Sequence, residues 1–456
     1  MIAATGSGSG KTMITCGILN CLKRRGLKVG AWKCGPDYID PMFHSRILGV
    51  STRNLDSFFC DKDTIQYLVE KREMQEDISV IEGVMGYFDG IGFTETGSSA
   101  EIAEWTKTPV ILVVNGAGMS RSIGAVLKGF QEMEKTKQIM GVIFNRISKN
   151  VYKGMAEMAR NLGIIPIGYV PKLKEIQLPS RHLGLVTAQE ITSFQSQFDL
   201  LSDQLEQTLD WEQLLKLAAE AGTFDRKEEL NDITVFRKEN PEAVTVAVAR
   251  DEAFCFFYPE NIELLEQLGC NVCFFSPLQS QELPKHADAL YLGGGYPELH
   301  AKQLAENKKI RNDILNAIQN GMPCIAECGG FLYLHRELED EQYQFYPMVP
   351  LYEGKGLSGD RLGRFGYITM RAEKDGLLAK KGDCLYAHEF HYWNSEAPGS
   401  DFYVRKPGNG REWMSSYHTD TLYAGFPHLY LYGNRKAAMS FVKAAQKFQK
   451  RKVNGK

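Results

Sequence analysis

Apolar positions in the first half of the chain fall into short runs, separated by segments in which they recur every three to four residues. The runs are Val29–Trp32, Ile78–Ile81, Val110–Val114, Gly141–Phe144 and Ile164–Val170. They are too short for helices and read as strands covered on both faces. Helical patterns lie between them, the first marked by Ile14, Ile18 and Leu22 spaced four apart. Lys23, Arg24 and Arg25 followed by Gly26 suit the end of that helix: cations face the negative end of its dipole, and glycine accepts the left-handed turn. The alternation predicts an α/β fold with a doubly wound parallel sheet. Several strands stop at a polar or glycine position: Lys33, Glu82-Gly83, Asn115 and Asn145. Ligands bind at the carboxyl ends of such strands, so these residues are expected to ring one site.

The alternation then breaks. Residues 196–221 form a polar helical stretch rich in Gln, Asp and Glu, and residues 223–242 are charged, with Asn240-Pro241 as punctuation. A second alternation begins at Val244–Ala249. It continues through a helix at Glu260–Leu268, strands at Val272–Phe275 and Ala289–Leu292, a helix at Ile310–Asn320 and a strand at Cys324–Ala326. The expected organisation is a first α/β domain over 1–195, a helical and charged linker over 196–243, and a second α/β domain over 244–445.

Chemistry enters at the first strand-to-helix junction, Ala4-Thr5-Gly6-Ser7-Gly8-Ser9-Gly10-Lys11-Thr12. Gly6, Gly8 and Gly10 let successive N–H groups point at phosphate oxygens. Lys11 supplies a point charge for the terminal phosphates, and the Thr12 hydroxyl suits a Mg²⁺ ion. A glycine loop ending in Lys-Thr at the mouth of an amphipathic helix predicts a nucleoside triphosphate site. Glu82, at the end of an apolar strand, stands where a Mg²⁺ ligand is expected. Cys34-Gly-Pro-Asp37-Tyr38-Ile-Asp40-Pro41 is a second acidic loop, stiffened by two prolines. Its two carboxylates suit a shared cation, or one of them orienting substrate, or a simple Asp-rich turn. Lys33 beside it suits a phosphate or solvent.

With 456 residues the chain needs more than one core. It is 43% hydrophobic and 24% charged with a net charge of −3, which gives no electrostatic reason for a nucleic-acid or membrane partner. No apolar run is long enough to span a bilayer. No secretory signal precedes the loop, and the lead-in strand is so short that a few further residues are expected ahead of it. The ten cysteines are scattered; Cys270-Asn-Val-Cys273 is the one CxxC, and it lies in a strand with no second pair or His cluster to complete a zinc site. This usage suits reduced thiols in a cytoplasmic protein.

The second half carries a different signature. Pro323-Cys-Ile-Ala-Glu-Cys328-Gly329-Gly330 reads as a strand, a cysteine, two glycines and the start of a helix: the shape of a nucleophile elbow. The helix start is expected to lower the Cys328 pKa. Gly293-Gly294-Gly295, ending another strand, and Gly329 are candidate N–H donors for an oxyanion hole. The base is left open among His388, His391 and His428. His388-Glu-Phe-His391 is too short for the zinc-protease HExxH spacing.

Taken together, Trp32–Pro41, Thr52-Arg-Asn-Leu-Asp56, Glu82-Gly-Val-Met-Gly-Tyr-Phe-Asp-Gly90 and Leu178-Pro-Ser-Arg-His-Leu-Gly-Leu185 resemble the cobyrinic acid a,c-diamide synthase family over essentially the whole chain. The resemblance implies an N-terminal domain similar to dethiobiotin synthetase and a C-terminal class I glutamine amidotransferase domain of flavodoxin-like fold. It implies Mg²⁺ at Thr12, Asp40 and Glu82, adenine at Asn145, and substrate carboxylate near Asp37, Tyr38 and Lys33. It also implies His428 as the partner of Cys328. Two departures stand out. Ala4 replaces the usual glycine, and Tyr430 stands where many class I amidotransferases carry a Glu, so a third, orienting carboxylate is expected to be missing. The implied reaction is ATP- and glutamine-dependent amidation of the a and c carboxylates of a corrinoid in cobalamin biosynthesis. Close rivals amidate a metal-free corrinoid (hydrogenobyrinate) or a nickel tetrapyrrole (Ni-sirohydrochlorin). A partitioning ATPase of the ParA type would carry a second lysine at the position of Gly6, and this chain does not. A homodimer is compatible with the resemblance.

Overall fold

The computed structural model describes residues 1–173, 176, 188–224, 230–359 and 362–454. The Leu178–Leu185 motif lies outside the described residues. The chain divides into two compact units, residues 1–228 and 229–456.

The first unit is built on a seven-stranded parallel sheet. Its strands are β1 (Ile2–Ala4), β2 (Val29–Cys34), β3 (Thr52–Leu55), β4 (Ile78–Glu82), β5 (Val110–Asn115), β6 (Ile139–Asn145) and β7 (Ile165–Val170), in the order β3-β2-β4-β1-β5-β6-β7. The apolar runs predicted as strands all lie in it, because a strand covered by helices on both faces needs apolar residues at every position. The chain leaves β1 toward one side of the sheet and, after β4, crosses to the other, so the loop after β1 lies where the direction of winding reverses. Register then sets Lys33 beside Glu82, and Asn115 beside Asn145, in neighbouring rows.

Part of the stretch read as linker packs into this unit. A helix over Ala188–Thr208 lies along the first helix, α1 (Lys11–Arg24). Phe194, Phe198, Leu201 and Leu205, spaced three or four apart, are buried in the core. Gly17 makes this possible: a Cβ there would lie 2.5 Å from a Leu205 methyl. The polar flank of the same face pairs with the end of α1 through Arg24 to Asp199 at 2.6 Å and Arg25 to Glu206 at 2.7 Å.

In the second unit, β8 (Val244–Ala249), β9 (Cys270–Phe275), β10 (Ala289–Leu292) and β11 (Cys324–Glu327) form a parallel sheet with Leu422–Gly425, closed at one edge by the antiparallel pair Tyr417–His418. The region between carries two further sheets, one of which pairs Cys384–His391 with His428–Leu429. This region, antiparallel except for the pair His335–Glu339 with Tyr352–Leu357, was not predicted from sequence: its longer strands mix buried with half-buried and exposed positions, which blurs the apolar runs. All ten cysteines are free. Among the described residues, no helix is long and apolar enough to cross a membrane.

Candidate functional site

The loop between β1 and α1 has the geometry its sequence predicts. Gly10 caps α1 at φ 91°, ψ 18°, a left-handed conformation, and a Cβ there would come within 2.1 Å of Asn145 Nδ2. Gly8 is also left-handed, at φ 78°, and Gly6 lies in open space. The first turn of α1 leaves its N–H groups facing the loop. Ala4 is buried in β1, and its carbonyl accepts from Tyr87 N–H at 2.8 Å, so the side chain is accommodated within the sheet.

Around that loop the ends of β2 and β4 bring opposite charges together. Lys33 Nζ lies 2.5 Å from Asp40 Oδ2 and 2.8 Å from Glu82 Oε1. Thr12 donates to the same Glu82 oxygen at 2.6 Å. Lys33 and Glu82 are almost completely buried, at 4% and 0% exposure. Burial alone would discharge the lysine, but Glu82 and Asp40 override it and hold its pKa well above the usual lysine value. Burial likewise pushes Asp40 up, and Lys33 pulls it below the ordinary carboxylate range. Lys11, which donates to Met85 O at 2.9 Å, is lowered to about 8 by burial and then by Lys33. Asp37 is raised to about 7 by burial and by Asp40; its Oδ1 caps the Ile39 N–H at 2.8 Å. Tyr38 is buried beside it.

Two of the candidate residues make protein contacts that the sequence does not show, and a third residue joins them. Lys33, read as a substrate contact, instead bridges the two carboxylates read as metal ligands. Asn145, read as an adenine contact, has both polar ends engaged by protein: Nδ2 donates to Ser9 O at 2.7 Å and Oδ1 accepts from Arg146 N–H at 2.9 Å. It braces the phosphate loop. His44 was not singled out, yet its ring is fully buried, and Nε2 lies 3.5 Å from Glu82 Oε2. Burial lowers its pKa, so it is neutral there. Its place four residues after Asp40 and next to Phe43, just past the acidic loop, was the signal for it in the sequence.

The second site assembles around Cys328. This residue sits between β11 and a short helix over Gly329–Tyr333 at φ 49°, ψ −102°, a strained elbow. Gly329 and the Gly294–Gly295 turn meet closely: a Cβ on Gly329 would be 3.0 Å from Gly295 N. A Cβ on Gly294 would lie 2.4 Å from His428 Cε1, so the base predicted from the resemblance packs directly on the glycine turn. His391 is held elsewhere, its Nδ1 2.7 Å from Trp393 O and its ring stacked on Phe426 at 3.8 Å. His388 lies opposite His428 on the paired strand.

Two expectations for this site are corrected. Gly294 cannot serve as an oxyanion donor here, because its N–H is committed to Phe256 O at 3.0 Å. Gly295 and Gly329 remain the candidates. The start of the following helix lowers the thiol only against a larger effect of burial. Burial raises the Cys328 pKa well above its usual value, against a small opposing hydrogen bond from Gly329 N–H, and a five-residue helix is too short to offset that burial. Burial also lowers His428 to about 3, with His388 and His391 adding to the effect. Both partners are therefore neutral at rest. The thiol donates to Phe390 O at 3.8 Å. The sequence reading also missed three buried acids around the thiol: Glu298 and Glu327, each raised by burial to about 8, and Glu389, raised by burial to about 7. Glu327 was the most legible, as a charge ending the otherwise apolar strand Cys324-Ile-Ala.

Comparison with known proteins follows this division of the chain. Residues 1–186 match the CobQ/CobB/MinD/ParA nucleotide binding domain, and residues 245–433 match the CobB/CobQ-like glutamine amidotransferase domain. Cobyrinate a,c-diamide synthase of Listeria monocytogenes is 40% identical over 448 residues, covering 95% of this chain and 96% of that one. The chain belongs to the cobyrinate a,c-diamide synthase family. Relatives of the same name from Caldanaerobacter subterraneus and Salmonella typhimurium are 36% and 38% identical, each covering 98% of both chains. Membership of this family, whose two matched domains are a nucleotide-binding and an amidotransferase domain, accounts for two unlike sites on one chain.

Proposed function

We propose that this protein is a glutamine- and ATP-dependent ligase that amidates the a and c side-chain carboxylates of cobyrinate. The reading rests on near-full-length identity to cobyrinate a,c-diamide synthases together with two sites whose chemistries complement each other. In the first unit, a substrate carboxylate oxygen attacks the γ-phosphorus of ATP, ADP leaves, and the carboxylate becomes an acyl phosphate. Lys11 and the loop N–H groups hold the phosphates, and catalysis is mainly positioning and charge neutralisation. Thr12, Asp40 and Glu82 suit Mg²⁺: they offer hard oxygen donors, and Glu82 Oε2 is buried without a hydrogen bond. Two carboxylates plus substrate phosphates fit that ion's habit, and among the described residues no cluster of three or more acids, His or Cys forms a protein-only cage. When bound, Mg²⁺ offsets phosphate charge.

In the second unit, Cys328 passes its proton to His428 and attacks the glutamine side-chain amide carbon. The Gly295 and Gly329 N–H groups support the oxyanion. Ammonia leaves with the proton returned by His428, and water hydrolyses the thioester to glutamate. Ammonia then attacks the acyl phosphate carbon and displaces phosphate. We read the protein as cytoplasmic, and as a homodimer that sedimentation would detect.

The test is mass spectrometry of the product from cobyrinate, ATP, Mg²⁺ and glutamine, run beside hydrogenobyrinate and Ni-sirohydrochlorin. A diamide from cobyrinate at the highest kcat/KM is expected, and a higher value for either rival would reassign the substrate. Cys328→Ser is expected to abolish synthesis with glutamine and retain it with ammonium salt; loss of both would refute the assignment of separate roles to the two sites.

A further inference from the structure

The residue two places after His428 is Tyr430, buried edge-on against Tyr258 with ring centroids 4.9 Å apart. It supplies no carboxylate. One is nonetheless present beside His428, from a different part of the chain. Glu327 Oε2 lies 3.9 Å from His428 Nδ1, and both side chains are 1% exposed. Glu327 immediately precedes Cys328. Successive residues of a strand point to opposite faces, so one strand end can direct its thiol one way and its carboxylate the other.

The carboxylate is fixed on both oxygens. Oε1 accepts from the Leu429 N–H at 3.0 Å, the residue after His428. Oε2 accepts from the Tyr291 hydroxyl at 3.1 Å. Tyr291 is held in turn by Asn261 Nδ2 at 3.1 Å. The same Asn261 donates to Leu429 O at 2.7 Å and accepts from Leu431 N–H at 2.7 Å. Glu327 and Asn261 therefore hold the N–H and the C=O of Leu429, one in each peptide unit flanking it, and fix the backbone next to His428. A buried acid with no task would be costly; this one is aimed at the ring nitrogen that faces away from a proton acceptor's working side.

We propose that Glu327 is the positioning carboxylate of His428, supplied from the residue before the nucleophile rather than from the residue two places after the base. This rests on the reading of Cys328 and His428 as the catalytic pair. With Nδ1 turned to Glu327, Nε2 is the nitrogen that takes the Cys328 proton. Burial raises the Glu327 carboxyl to about 8, so the carboxylate is its minor form near neutral pH; in molecules that carry it, the imidazolium so formed gains a counter-charge in a site where burial suppresses every isolated charge. His388 and His391, the other basic groups near His428, are held neutral by burial at about 3 and about 4, so neither offsets that carboxylate. Closing 3.9 Å to a hydrogen bond requires a small ring rotation, as expected of a site that tightens on substrate.

The experiment uses the full chain and measures four quantities: glutaminase kcat, KM for glutamine, ammonium-dependent amidation, and the fold by circular dichroism. Glu327→Gln keeps the shape and one acceptor oxygen, for the Leu429 N–H, and cannot ionise. It is expected to lower glutaminase kcat about 100-fold, with KM within about threefold and ammonium-dependent amidation unchanged. Glu327→Asp is expected to recover part of kcat. Tyr291→Phe, which frees one carboxylate oxygen, is expected to lower kcat about fivefold. A Glu327→Gln protein with kcat within about twofold of the parent overturns the proposal, as does a parallel fall in glutamine- and ammonium-dependent activities. If Glu327→Gln does not fold, an unchanged kcat in Tyr291→Phe overturns it instead. Cys328→Ala is run alongside: if that variant still uses glutamine, the reading of the thiol itself falls. If it does not, the Glu327 variants test the positioning role alone.

Discussion

The two candidate sites handle buried charge in opposite ways. At the phosphate loop, charges are kept and cancelled in place: Lys33 sits between Asp40 and Glu82, the two acids hold Lys33 charged despite burial, and Lys33 holds Asp40 ionised. At the thiol elbow, burial wins, and Cys328, His428, His388 and Glu327 are all driven toward their neutral forms. The difference fits the chemistry proposed for each. A triphosphate brings several negative charges that need permanent counter-charges waiting. An amide brings none, and a neutral pocket strengthens whatever ion pair forms in the transition state.

The comparison breaks most sharply at Lys11. Lys11→Ala is expected to reduce amidation about 1000-fold with either glutamine or ammonium as nitrogen source, measured by product formation. Activity surviving with ammonium would mean the loop is not the phosphoryl-transfer site. Next comes the permanent counter-charge itself. Lys33→Met leaves two buried carboxylates facing each other and is expected to cost about 3–5 kcal/mol of stability, read from urea midpoints. A loss below about 1 kcal/mol would show that the pairing does not matter energetically.

A smaller effect separates the units by pH. The folded-state values of His388, His391 and His428 are depressed to about 3, about 4 and about 3. Their contribution is complete above the unfolded histidine value and is lost as pH falls toward 3. Glu298, Glu327 and Glu389 are raised to about 8, about 8 and about 7. Their contribution is complete below the unfolded carboxylate value and is lost as pH rises toward 8. Hydrogen exchange in the second unit is therefore expected to show greatest protection near pH 5–6, with opening favoured on both sides. Protection still rising between pH 7 and 8 would contradict the buried-acid assignment. The smallest effect belongs to Ala4. Ala4→Gly is expected to lower stability by about 0.5–1 kcal/mol through backbone entropy and to leave the KM for ATP within about twofold. A larger change in KM would mean that the β1 turn tunes nucleotide binding.

Legibility followed the spacing of residues along the chain. The phosphate loop is nine consecutive residues, and Lys33, Glu82 and Asn145 end apolar runs, so their convergence could be inferred from a parallel sheet. The helix over 188–208 was partly misread because its ion-paired face dominates its composition, while Phe194, Phe198, Leu201 and Leu205 carry its packing. The antiparallel strands that deliver His388, His391 and His428 went unpredicted because the first mixes polar and exposed positions among its apolar ones and the second is only two residues long.

The sequence alone determined the α/β alternation, the phosphate loop, the cysteine elbow and the resemblance that selected His428. These are local: they depend on residues adjacent in the chain or on a repeating apolar period. Only the tertiary structure decided that Lys33 bridges Asp40 and Glu82, that Asn145 braces the loop, that the Gly294 N–H is already engaged, and that Glu327 stands beside His428, a hundred residues away in the chain. Each of those depends on burial and on strand register. Both are properties of the packed chain, and no window of sequence contains them.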